Sequence, residues 1–157
     1  MMNDADRLQL SERIRVALRG VRSSRYPVLL LLADPEQMSF GLWQELAEAQ
    51  RLAVVDMLDA VGDTDFQKAV GAWPTLVDWV REQAVQHRGI MVTDLDALIT
   101  KWPEGDRERL FLKLLKSETR DKETRETAPI VVVTALARLF RLPEDSRNYG
   151  VILDLAL

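Results

Sequence analysis

Cysteine is absent from the 157 residues, and histidine occurs once, as His87. No disulfide framework, thiolate site or histidine cluster can therefore be built, which excludes the usual zinc chemistry. No apolar stretch approaches the roughly 20 residues that a membrane span needs. The opening Met1-Met2-Asn3-Asp4-Ala5-Asp6 is acidic where a secretory signal would be basic and then apolar. These absences predict a cytoplasmic protein with no membrane partner and no metal. What is present, 47% hydrophobic and 29% charged residues, fits one domain over 1–157, with an N-terminal helix at 8–22 and an α/β core at 27–157.

The formal net charge of −4 conceals an asymmetry, because residues 7–25 carry six arginines against the single acid Glu12. Arg15, Arg19 and Arg22 fall at i, i+4 and i+7 and share a helix face, which suits an acidic partner or a phosphate backbone. A solvated face opposite the apolar stripe is the plainer use of the same residues. The acidic average disfavours a dedicated nucleic-acid binder. Of the four tryptophans, Trp73 and Trp102 each precede a proline near a turn and are the candidates for a partner surface. His87 has no sequence-near partner and receives no role.

Periodicity divides the chain into alternating elements. Leu10, Ile14, Ala17, Leu18 and Val21 form the apolar stripe of the opening helix. Val28 to Leu32 is a continuous apolar run, as in a strand covered on both faces. Helical spacing returns from Pro35 to Gln50, and Leu52 to Val55 reads as a second strand. Pro74 opens a helix whose stripe, Leu76, Val77, Val80 and Ala84, ends before Gly89. Ile90 to Asp94 reads as a third strand. A helix after Pro103 turns Leu110, Phe111, Leu114 and Leu115 inward. Residues 117–128 either prolong that helix or form a mobile loop, and 101–126 mix eight basic with seven acidic side chains, the pattern of a solvated face. Ile130 to Thr134 is the fourth strand, a short helix spans Leu136 to Phe140 before Pro143, and Val151 to Leu155 closes the sheet. Strands joined by helical crossovers predict an α/β fold, a three-layer parallel sheet of about five strands with helices on both faces.

Ligands of such sheets meet the carboxyl ends of the strands, so Asp34, Asp56, Asp94, Asp96 and Thr134 form the candidate polar site. The loop after the first strand stands where a phosphate-binding loop would be. In G-x-x-x-x-G-K-[ST] the glycines let backbone N–H groups face phosphate, the lysine reaches the outer phosphates and the hydroxyl holds magnesium. Those four positions here read Ala33, Met38, Ser39 and Phe40, and a shift of one register that makes Ser39 the hydroxyl puts Met38 at the lysine and Gln37 at the glycine, so neither alignment restores the chemistry. Asp34 and Glu36 add negative charge where the phosphates would lie. Asp94 ends its strand as the second nucleotide motif does, although Asp94 or Asp96 could equally cap the segment that follows. Thr134 occupies a strand end where such folds place a polar sensor, a position that threonine also fills for structural reasons.

The order of elements, with Asp94-Leu95-Asp96-Ala97-Leu98-Ile99, Ile130 to Thr134 and Pro143-Glu144-Asp145-Ser146-Arg147-Asn148-Tyr149-Gly150-Val151-Ile152-Leu153, resembles the small P-loop proteins of BREX-type bacterial phage-defence systems. The likeness spans most of the chain and implies a P-loop NTPase-like topology. With the phosphate loop degenerate, it implies a catalytically inactive structural or regulatory subunit that needs no cofactor and has protein partners in a multi-subunit defence system. Two alternatives stay open. One is a nucleotide-binding NTPase subunit with an unconventional or shared site. The other resembles response-regulator receivers, with Asp94 as the phosphorylated residue among Asp34, Glu36 and Thr134, although the final strand carries no lysine.

Overall fold

The computed structural model describes residues 4–33, 40–60, 71–136 and 150–155. In chain order the elements are α1 (Asp4–Arg22), β1 (Val28–Leu32), α2 (Phe40–Ala49), β2 (Ala53–Asp56), α3 (Met57–Ala60), α4 (Trp73–His87), β3 (Ile90–Thr93), α5 (Leu95–Ile99), α6 (Glu104–Leu115), β4 (Ile130–Thr134) and β5 (Val151–Asp154). The expected helix start at Pro35 and the short helix to Phe140 with its stop at Pro143 lie outside the described residues.

The five strands form one all-parallel sheet in the order β2-β3-β4-β1-β5. Alternation along the strands sorts their side chains onto two faces. Leu29, Leu31, Met91, Val131 and Val133 meet α1 and α2 on one face. Val28, Leu30, Leu32, Ile90, Val92, Ile130 and Val132 meet α4, α5 and α6 on the other. The fold is thus a three-layer α/β sandwich of P-loop NTPase-like topology. Both central strands, β1 and β4, are buried at every residue, which is why each reads as an unbroken apolar run.

Each long helix buries the stripe its periodicity predicts. In α1 these are Leu10, Ile14, Leu18 and Val21, with Asp4 and Asp6 in the first turn and Arg19 and Arg22 in the last, signs that complement the helix dipole. The helix begins at Asp4, ahead of the expected residue 8. In α4 the buried stripe includes Leu76, Val77, Val80 and Ala84, with Pro74 in the first turn, and in α6 it is Leu110, Phe111, Leu114 and Leu115. Arg88 takes the left-handed conformation after α4 (φ 59). Gly89 follows at φ 126, where a β-carbon would come within 3.1 Å of Leu52 and 3.2 Å of Pro129.

Several boundaries depart from the periodic reading. β2 runs from Ala53 to Asp56 rather than from Leu52, because the Leu52 N–H donates to the Ala47 carbonyl (2.9 Å) and so finishes α2. β3 stops at Thr93 because Asp94 turns left-handed, at φ 59 and ψ 20. Residues 117–128 are neither a continuation of α6 nor a loose loop. They fold back through an antiparallel bridge between Arg120 and Thr127, and the Asp121 carboxylate accepts the N–H groups of Glu123 (2.8 Å) and Thr124 (3.0 Å). Those two bonds hold the Asp121 carboxyl below the ordinary carboxylate range. Thr119 bonds the Ala128 carbonyl, and Thr127 bonds the Arg22 carbonyl at the end of α1 (2.7 Å).

Gly150 leads into β5, and its N–H donates to the Leu115 carbonyl (2.8 Å). A β-carbon there would sit 2.5 Å from the Val28 carbonyl oxygen and 2.9 Å from the Val28 β-carbon. Backbone cannot yield as a flexible side chain can, so Gly150→Ala is expected to destabilise the fold by about 1–3 kcal/mol, as overpacking does. Denaturant unfolding of the variant checks this, and a cost near zero would show that β5 shifts freely against β1.

Candidate functional site

Across the carboxyl edge of the sheet the strand ends bring Asp56 (β2), Thr93 and Asp94 (β3), Thr134 (β4) and Ala33 (β1) into one row. The pairing of Asp56 with Thr93 and of Leu32 with Thr134 sets their level. The Ala33 N–H donates to the Thr134 carbonyl (3.1 Å), closing the edge between the two central strands. β1 leads on to β2 at one end of the sheet and β4 leads on to β5 at the other. Adjacent strands whose successors lie at opposite edges of the sheet mark a topological switch point of the kind at which α/β sheets bind ligands. Ala33 is fully buried. Phe40 is described only as the first residue of α2, and Asp34, Glu36, Met38 and Ser39 lie outside the described residues.

The two carboxylates after β3 do different things. Asp96, in the first turn of α5, accepts the Thr134 hydroxyl at Oδ1 (2.5 Å) and the Ala135 N–H at Oδ2 (2.8 Å). Thr134 Oγ1 in turn accepts the Leu136 N–H (3.1 Å). This chain of bonds ties α5 to the end of β4 and satisfies the fully buried Thr134. Asp94 occupies the N-cap position of α5 but makes no capping bond with its side chain. Asp96 thus links two elements, while Asp94 stands at the cap position without a side-chain capping bond.

Asp94 is raised above the ordinary carboxylate range. Desolvation contributes most, followed by a hydrogen bond with the Asp56 carboxyl and by repulsion from Asp56, Asp59 and Asp96. Asp56 also accepts the Leu58 N–H (2.9 Å) at the start of α3. Neither Asp59 nor the closeness of Asp56 to Asp94 is visible along the chain, since both depend on β2 lying beside β3. The Thr93 hydroxyl and the Trp43 indole N–H are buried without a hydrogen-bond partner among the described residues. No group of three or more potential metal-ligating side chains occurs among those residues.

No protein-family model, curated protein or solved structure matches the chain. The site is therefore read from its own chemistry.

The other candidate residues lie elsewhere. On α1, Arg15 pairs with Glu12 through bonds of 2.6 and 2.9 Å, Arg22 donates to the Gln50 carbonyl (2.8 Å), and Arg19 is exposed. The Glu12 partner lowers the stripe's net charge, and Arg22 serves the turn between α2 and β2. Trp73 and Trp102 are both partly buried against the core on the α4 and α6 side, far from a shared surface with the arginines of α1 across the sheet.

Two outcomes follow from the division between the carboxylates. Because the raised Asp94 holds its proton longer in the folded than in the unfolded chain, stability falls as pH rises from the ordinary carboxylate value through the raised one. Asp94→Asn, which also tolerates the left-handed conformation, is expected to stabilise the protein at neutral pH. The gain should stay below about 1 kcal/mol, as befits a partly exposed group, and vanish in acid. Thr134→Val, which strips a donor from Asp96, is expected to cost about 1–3 kcal/mol. Unfolding measured across pH for both variants checks the pair; a loss in Asp94→Asn would mean that its carboxylate holds the turn.

Proposed function

We propose that this chain is a catalytically inactive, P-loop-like structural or regulatory subunit of a larger bacterial complex, in phage defence as the BREX resemblance implies. The observation that carries the reading is electrostatic. At the edge where a nucleotide's phosphates would lie, burial first and then the carboxylates of Asp56, Asp59 and Asp96 raise Asp94, so the strand ends carry acids and no cation among the residues named. Ala33 to Phe40 offers neither glycine nor lysine to counter them. Asp96 and Thr134, which could otherwise face a ligand, are committed to each other and to the backbone of 135–136. A polyanion would meet repulsion there, while the tie between α5 and β4 maintains the shape of the edge.

The receiver-like alternative loses support from the strand order. Receivers place β1 between β2 and β3, which sets the acids after β1 beside the aspartate after β3. Here β4 intervenes between β3 and β1, so Asp94 and the residues after Leu32 are not neighbours in the sheet.

Melting of the protein with and without excess Mg-ATP tests the proposal. A ligand at 100 times its Kd adds about 2.7 kcal/mol, equivalent to about 5–10 °C for a domain of this size. No shift is expected. A clear shift would restore the NTPase reading, with the site completed by residues outside the conventional motif.

A further inference from the structure

A second candidate surface lies on the opposite side of the sheet from α1, where α4 packs against α6. Trp73, Arg109, Leu112, Lys113 and Lys116 line a groove of about 320 Å³. Its apolar lining comes from Trp73 and Leu112, and its cations come from α6 (Arg109 and Lys113) and from Lys116, which caps that helix. Arg109 and Lys113 stand at i and i+4 on α6 and Lys116 follows at its C-terminal end, so the three run along the helix and off its end over about 10 Å. Arg81 braces the same seam, donating from Nε to the Ser117 hydroxyl (2.8 Å) and from Nη2 to the Lys113 carbonyl (3.0 Å). Asp106 contacts Arg109 at 3.4 Å across an exposed pair, an interaction weak enough for a competing carboxylate to replace.

We propose that this groove docks an acidic segment of a partner protein, with an apolar side chain of that segment lying against Trp73 and Leu112. The charges decide the class of occupant. A small anion needs cations that converge on one point, whereas these are spread along a line. Three residues of extended peptide advance about 10 Å, so carboxylates two or three residues apart match this line. Tryptophan and arginine beside an apolar floor are the side chains that most often anchor protein interfaces. On a chain of net charge −4, the local cations of this groove are what would draw an acidic segment to this face, through complementarity. The inference rests on the reading of this protein as a subunit that engages other chains; the Mg-ATP melting test examines that reading separately, at the strand edge.

The test is fluorescence anisotropy with a labelled synthetic peptide of alternating glutamate and leucine, with an oligothymidylate of equal charge as the counter-probe. The peptide is expected to bind the full chain. Lys113→Glu, a change at an exposed position, should weaken it about tenfold or more, and Trp73→Ala should do likewise. Arg19→Glu, the same charge change on α1, should leave it within about twofold. The melting temperature of Lys113→Glu, expected to fall by no more than about 4 °C for the unfavourable charge in the last turn of α6, confirms that the fold is intact. Absence of binding by the unmodified chain, equal binding by Lys113→Glu, an equal loss in Arg19→Glu, or tighter binding of the oligothymidylate would each overturn the proposal.

Discussion

The parallel pairing of β1 with β4, in register from Val28 with Ile130 to Leu32 with Thr134, is the constraint on which the other elements depend. All ten residues of the two strands are buried. Two adjacent strands without a wet side require a helix layer above and another below, and parallel strands require long crossovers to supply them. The apolar stripes of α1 and α2 meet the first demand, and those of α4, α5 and α6 the second. Because the two faces of a strand alternate residue by residue, a slip of one position would exchange the two cores entirely. The ladder is therefore pinned by packing on both sides as well as by its hydrogen bonds.

That register also organises the carboxyl edge. It sets Ala33 against the Thr134 carbonyl and brings Thr134 within reach of Asp96 on α5. The carboxylate of Asp96 is thereby matched to two donors, whereas Asp94, two residues earlier, faces other carboxylates. Two aspartates of similar sequence context end in opposite electrostatic situations. One ties α5 to β4, and the other is raised by burial and by its carboxylate neighbours at the edge of the sheet. These strand-end acids carry the proposal of a site that takes no nucleotide, and the separate seam between α4 and α6 carries the proposal of an acidic partner.

Much of the fold was legible along the chain where the signal is local. Val28 to Leu32 and Ile130 to Thr134 coincide with β1 and β4 because strands buried on both faces read as unbroken apolar runs. The stripes of α1, α4 and α6 follow from a period that needs no knowledge of what they pack on. The five residues of α5 are too few to show such a period. The compact turn at 117–128 escaped because its order comes from the Asp121 carboxylate and from a bond to the distant Arg22 carbonyl. The conspicuous arginine stripe of α1 proved to be partly engaged within the protein, through Glu12 and the Gln50 carbonyl.

The sequence by itself determined the α/β class, the two-sided burial of the central strands, the inward faces of the long helices and the absence of glycine and lysine from residues 33–40. Each of these is written in residue types at short range, through periodicity, propensity and the presence or absence of glycine and lysine. Only the tertiary structure decided that β4 stands between β3 and β1, that Asp56 neighbours Asp94, that Asp96 serves Thr134, and that Trp73 shares a groove with Arg109, Lys113 and Lys116. Those juxtapositions join residues tens of positions apart, and they arise from the order in which crossovers return the strands to the sheet, a choice that hydrophobic patterning leaves open.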